Sequence, residues 1–249
     1  MGVSQGTKLL LAFRSGDRCA FPGCEQTLTA EENPGGNQTT IMGEVAHIAG
    51  LRPGSPRYDP NMTDDQRNHY DNLIYLCPTH HTLIDKQAQN YSVEKLREMK
   101  RIHEEKVRQA MKEAFAKVAF PELEEATRWV RRIQGASNRV NFQVVLPQDK
   151  IQRNELSDDS QWIIRMGLAV AGEVGRYVEA VAREDDQFPE RLKSGFLSEY
   201  YSLRQKGIFG DELFLGMCEI AGQGLDFPAK MAGVAVLVYL FEKCEVFEQ

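Results

Sequence analysis

The sequence predicts an α+β protein: a small, loop-rich N-terminal domain with short strands and a metal site, followed by a mainly α-helical C-terminal half. Three observations carry this. Gly, Pro, Asn and Thr crowd residues 1–90, which also hold three of the five cysteines and four of the five histidines. From residue 92 onward, apolar residues recur at helical spacing. The cysteine count is odd and no secretion signal precedes it, which favours metal binding over a disulfide framework.

The elements follow in order. Leu9 to Ser15 is expected to be helical. Pro34, Gly35 and Gly36 break any regular element in the loop 31–37. Residues 39–48 suit a strand or a bulged pair, and Pro53, Gly54, Pro56 and Pro60 make residues 50–61 irregular. Thr63 is a good N-cap, with Asp64 and Asp65 placed where the helix dipole favours them. The apolar segment Leu73-Ile74-Tyr75-Leu76 then leads into Cys77. Ser92 caps a long helix from Val93 to about Ala119, with Val93, Leu96, Met99, Ile102, Val107, Ala110, Met111, Ala114 and Val118 as its apolar stripe. Pro121 starts a further helix ending near Gly135. Residues 139–146 read as a strand and 147–160 as a polar linker or exposed loop. Four more helices are expected at 161–184, 189–206, 211–222 and 228–246. This divides the chain into 1–110, a connecting stretch 111–160, and a helical domain 161–249.

Composition bounds the function. The 249 residues carry 27% charged and 42% hydrophobic side chains, ordinary for a globular protein. The net charge of −6 argues against a globally basic nucleic-acid coat protein but leaves room for a local basic surface. No run of about 18 apolar residues exists, so no membrane span is expected. The stretch Met231 to Phe241 reads as a buried helix, and a cytoplasmic location is expected.

Two pairs of soft ligands stand out. Cys19 and Cys24 flank Pro22-Gly23, a turn that can wrap a metal. Cys77 and His80 form the second pair. Together they can clamp a tetrahedral Zn²⁺, which would replace core that a small loop-rich domain lacks. His81 is an alternative to its neighbour His80 in that set, and Cys77 taken alone reads as a buried apolar residue. Beyond the zinc pairs lie His47, closing the apolar segment Val45-Ala46-His47, then Asn72, His81 and Asp85. If residues 80–90 open a helix, positions 81 and 85 share a face, and an imidazole and a carboxylate so placed can hold one divalent ion. His69 and His103 lie on polar helical stretches and read as surface histidines.

In this order, Cys19-x4-Cys24, Ala46-His47-Ile48 and Asn72-Leu73-Ile74-Tyr75-Leu76-Cys77-x2-His80-His81-x3-Asp85 resemble an HNH endonuclease of the ββα-metal type with stabilising zinc ligands. The resemblance covers about residues 14–105. Gly43-Glu44-Val45-Ala46-His47-Ile48 and Ser55-Pro56-Arg57-Tyr58-Asp59-Pro60 look most like HNH domains of bacterial anti-phage effectors. The resemblance implies a ββα-metal nuclease domain in which His47 is the general base, Asn72 orients His47 or ties the strands, and His81 and Asp85 bind Mg²⁺ or Mn²⁺. It also implies double-stranded DNA as substrate, with phosphates held by basic side chains near the site: Arg52, Arg57 and Lys86, and also Arg14 and Arg18.

One position departs from the family. Many HNH nucleases carry Asp immediately before the first His as a further ligand, and here it is Ala46. The site then rests on His81 and Asp85 alone or borrows Glu44. The alternative to an enzyme is a non-catalytic zinc-stabilised module, binding DNA or protein, with a decayed HNH site. One active site cuts one strand, so a homodimer or higher oligomer held by the helical half is expected. That half leaves three roles open: oligomerisation, sensing of an activating ligand, or docking to a defence-system partner. Cys218 and Cys244 read as buried thiols.

Overall fold

The computed structural model describes residues 2–31, 39–133 and 147–243. The expected strand at 139–146 and Cys244 lie outside them, as does most of the 31–37 loop. The chain divides into two compact units, Met1–Ala110 and Met111–Gln249.

In the first unit, helix α1 (Gln5–Arg14) is capped by the Ser4 hydroxyl, which accepts from the Thr7 N–H at 3.0 Å. Strands β1 (Thr29–Glu31) and β2 (Thr39–Ile41) pair antiparallel. Residues 39–48, expected as a strand or a bulged pair, form two separate strands. The chain turns at Met42-Gly43, whose N–H groups both donate to the Leu28 carbonyl, and continues as β3 (Glu44–His47). Gly43 is required there, because a Cβ would overlap the Tyr75 ring at 2.2 Å. Strand β4 (Leu73–Leu76) pairs antiparallel with β3, placing Glu44 opposite Leu76 and His47 opposite Leu73.

Between β3 and β4 lies helix α2 (Asp64–Asn68), whose Thr63 and Gln66 form a reciprocal capping box. After β4, helix α3 (Pro78–Lys86) starts with Pro78 in its first turn. All four residues of β4 are buried, and both α1 and α3 pack against this strand. That is why Leu-Ile-Tyr-Leu is apolar without alternation. The result is a ββα unit over a core of Leu11, Leu28, Ile48, Ile74, Ile84 and Leu96.

Helix α4 (Val93–Ala116) opens on Ser92, whose hydroxyl accepts from the Lys95 N–H at 3.3 Å. Leu96, Met99, Val107, Met111 and Phe115 are its buried apolar stripe. Ile102 is 55% exposed, because it falls out of phase with that stripe. His103, expected at the surface, is half-buried and pairs through Nε2 with the Ser15 carbonyl at 2.9 Å. His69 is exposed beside Asp71, as expected.

The second unit is helical. Helix α5 (Phe120–Thr127) ends earlier than expected and tightens into a 3-10 stretch, Arg128–Arg132. The Thr127 hydroxyl donates to the Leu123 carbonyl at 2.8 Å, a local bond that competes with the α-helical ladder. Where a linker was expected, Pro147–Arg153 forms helix α6. Its Lys150 is fully buried, and Nζ donates to the Phe241 carbonyl at 2.7 Å. That contact satisfies a helix-end acceptor and places a cation at the negative end of a helix dipole.

The single helix expected at 161–184 breaks at Val170 into α7 (Asp158–Ala169) and α8 (Ala171–Ala182). Helices α9 (Phe188–Gln205), α10 (Gly210–Ala221) and α11 (Phe227–Lys243) follow. Helix α11 is buried nearly all round and packs against α5, α7, α8 and α10. No helix among the described residues is long and apolar enough to cross a membrane.

The centre of this bundle gives a stability test. A Cβ on Gly233 would lie 2.0 Å from the Ala221 carbonyl oxygen, a backbone atom that no rotamer change moves. Gly233→Ala is therefore expected to lose about 3 kcal/mol, as overpacked cores do, and to lower the denaturant midpoint. An unchanged midpoint would contradict this packing.

Candidate HNH active site and metal centre

Two functional clusters are built on the ββα unit. The first is the soft-ligand set. Cys19 follows α1, and the turn at Phe21-Pro22-Gly23 brings Cys24 back. Gly23 sits at φ +77°, and the Cys24 N–H donates to the Phe21 carbonyl at 3.0 Å. Cys77 follows β4 and serves as N-cap of α3, which puts His80 one turn further along.

The candidate ligand atoms of Cys19, Cys24, Cys77 and His80 all lie within 4.8 Å of one another. His80 Nδ1 stands 3.1 Å from Cys77 Sγ and 3.6 Å from Cys19 Sγ. The Phe21 ring stacks on the His80 ring at 3.9 Å and fixes its plane. The four described cysteines are free thiols.

These residues fit a zinc ion. Burial pushes the Cys19 thiol up to about 12, against the pull of backbone N–H groups, including the Cys77 N–H 3.3 Å from its sulfur. A divalent cation removes the charge penalty that keeps buried sulfur protonated. The cluster can thus hold a metal such as zinc, closed by four protein ligands. His80, rather than His81, faces the sulfurs.

The second cluster lies on the neighbouring side of α3. His81 Nδ1 meets Glu44 Oε2 at 2.6 Å, and His81 Nε2 faces Asp85 Oδ2 at 3.6 Å. Glu44 therefore engages the ring from behind. A carboxylate on Nδ1 fixes the tautomer and leaves Nε2 to a ligand. Asp85 and His81 are 40% and 28% exposed, which leaves room for water around any ion between them.

His47 ends β3 and is half-buried. Desolvation lowers its pKa below the usual 6.5, opposed by a contact of Nε2 with Asn68 Oδ1 at 3.5 Å. The nearby His81 lowers it further, and Asp85 raises it. Asn68 Nδ2 donates to the Asp64 carbonyl at 2.9 Å, so the amide oxygen is the group turned toward the imidazole. Sequence reading gave no sign of Asn68, since an Asn in a short helix carries no pattern of its own.

Asn72 is buried, and its side-chain amide is bound to backbone groups. Its Oδ1 accepts from the Ala49 N–H, and its Nδ2 donates to the Ala49 and Arg67 carbonyls, all at 2.9 Å. It ties the chain leaving β3 to the turn entering β4.

The basic residues separate sharply. Arg52 and Lys86 are exposed. Arg57 is turned inward with its side chain 6% exposed, and it pairs with Asp85 Oδ1 at 2.6 Å. It is not a free surface cation poised for phosphate. Arg18 is exposed, whereas Arg14 pairs with Glu104 at 3.1 Å. Ala46 is fully buried in the sheet, so the position that carries a ligand in many HNH nucleases faces the core here.

The first unit thus carries a ββα arrangement with a cysteine-rich set that could hold a metal and, beside it, an imidazole–carboxylate pair. Residues 19–88 match the model of a family described as HNH endonuclease. The match covers His47, Asn72, His81 and Asp85 together with the four soft ligands. Among curated proteins, none matches the chain.

Proposed function

We propose that the protein is a metal-dependent DNA endonuclease that hydrolyses phosphodiester bonds. The observation that carries this reading is the convergence of His47, His81 and Asp85 within a domain that matches HNH endonucleases. His47, held neutral by burial, takes a proton from the attacking water. Asn68 accepts at Nε2 and so favours the tautomer whose Nδ1 lone pair is available. Asn72 holds the backbone on which the base stands.

His81 Nε2 and Asp85 Oδ2, 3.6 Å apart, are the donors that would hold a Mg²⁺ or Mn²⁺ ion. Such an ion would neutralise charge on the phosphate and on the leaving 3′-oxygen. Glu44 keeps His81 in register for it. Arg52 and Lys86 supply backbone contacts to duplex DNA.

The wider setting follows from the resemblance of the Gly43–Ile48 and Ser55–Pro60 segments: an effector of a bacterial anti-phage or restriction system, acting in the cytoplasm. Cutting both strands with one HNH site per chain calls for a homodimer or higher oligomer. The buried Ala46 favours a second reading, a zinc-stabilised binding module without catalysis.

Supercoiled plasmid incubated with Mg²⁺ or Mn²⁺, beside a chelated control and an RNA substrate, separates the two readings. Metal-dependent nicking is expected for the enzyme, and no cleavage of either nucleic acid for the binding module. The pH profile adds a sign. The base works deprotonated and its pKa is lowered, so the acid limb of kcat/KM is expected below pH 6.5. An acid limb above pH 7 would contradict His47 as the base.

A further inference from the structure

We propose that Arg57 is a positioning residue of this site: its buried guanidinium locks Asp85 so that one carboxylate oxygen faces His81, and thereby sets how tightly a hard divalent cation is held. The inference rests on the reading of His81 and Asp85 as cation ligands and deepens it.

The guanidinium bridges the two elements that carry the chemistry. Nε donates to the Ile48 carbonyl at 2.7 Å, just beyond His47 on β3. Nη1 donates to the Ile84 carbonyl at 2.8 Å, in the last turn of α3. Nη2 donates to Asp85 Oδ1 at 2.6 Å, with a longer contact to the His47 carbonyl at 3.4 Å. The last four carbonyls of a helix lack partners within it, so a cation at Ile84 satisfies an orphan acceptor and suits the dipole.

With Oδ1 taken, Oδ2 is the oxygen left facing His81 Nε2. Asp85 is 40% exposed, and the short Arg57 contact at Oδ1 holds that orientation. Glu44 does the corresponding work on His81 from the opposite side. Both ligands are thus aimed from behind.

The backbone shows that this placement is imposed. Arg57 sits at φ +57°, a left-handed conformation that non-glycine residues seldom adopt. Such positions persist where surrounding contacts over-determine them. Here the Gly50 N–H donates to the Arg57 carbonyl, and Gly50 has no room for a Cβ beside Ser55 and Pro56. Lysine cannot reproduce the bridge, since a single ammonium does not span two carbonyls and a carboxylate in one planar fork.

Mn²⁺ binding to the intact zinc-loaded protein, followed by electron paramagnetic resonance, tests the proposal without relying on catalysis. Wild type is expected to bind Mn²⁺, and Arg57→Lys to bind it at least about tenfold more weakly, the range seen when supporting partners of metal ligands are removed. Asp85→Asn removes the second carboxylate oxygen that Arg57 orients, and in that background Arg57→Lys is expected to cause no further loss. If Arg57→Lys loses zinc or its thermal transition, Arg57→Gln keeps a planar donor without the charge and is expected to show the same weakening.

Equal Mn²⁺ affinity in wild type and a folded Arg57 variant overturns the proposal while leaving the cation site standing. The same fold loss with and without the Asp85 carboxylate also overturns it, because Arg57 would then act through the fold. A wild-type protein that binds no Mn²⁺ beyond its zinc removes the cation reading and this inference together.

Discussion

His47→Ala is expected to lower metal-dependent plasmid nicking by about 10²–10⁴-fold, the usual contribution of a positioned general base, with zinc content and melting temperature held. The side chain stands at the end of β3, is half-buried and touches Asn68 through a long 3.5 Å contact. Truncation therefore removes little packing. The backbone of residue 47 stays paired opposite Leu73, so the ββα unit keeps its register. Burial lowers the imidazole pKa, which keeps the base form populated near neutral pH. His69→Ala is the matched control, because that ring is exposed and pairs with Asp71. Equal cutting by wild type and His47→Ala would end the assignment of the base.

Cys77→Ser is expected to have the largest structural effect. It removes one of four converging ligands, and structural zinc contributes on the order of 10 kcal/mol or more in small zinc domains. The loss need not be total, since β4 also rests on an apolar core of Leu11, Leu28, Ile74 and Ile84. A loss of more than about 3 kcal/mol is expected, within the marginal stability typical of a domain. Cys77 joins β4 to α3, so the damage reaches His81 and Asp85 through the helix that carries them. Hydrogen exchange over residues 73–86, with and without a zinc chelator, checks this. Protection should collapse in the variant and in the chelated wild type. Unchanged protection in both would mean that the cluster is four thiol and imidazole groups with no structural ion.

The residues whose role depends on type and spacing were readable from the sequence. Cys19, Cys24, Cys77 and His80 form a set because two short ligand pairs bend two short turns, and His81 and Asp85 share a face because four residues make about one helical turn. The Cys77-x2-His80 spacing points to His80 over its neighbour His81, and the Phe21 ring that stacks on His80 is the part that the spacing does not reveal. Arg57 was legible only as a loop arginine near the site. Its burial is set by carbonyls from two other elements, which no local pattern encodes. Lys150 is the same lesson in the helical unit. A polar stretch beginning with proline reads as a linker until a carbonyl at the far end of the sequence claims its ammonium. The break at Val170 and the out-of-phase Ile102 escaped because helical periodicity tolerates both. The apolar all-round character of Met231 to Phe241 was enough to mark a central helix.

The most direct measurement is a crystal structure of the intact protein soaked with Mn²⁺, with anomalous scattering recorded at both the zinc and manganese edges. The account predicts a zinc peak enclosed by Cys19, Cys24, Cys77 and His80, and a manganese peak touching His81 Nε2 and Asp85, with solvent in its remaining positions. A manganese peak elsewhere, or Asp85 and His81 turned away from a common point with no ion between them, would contradict it.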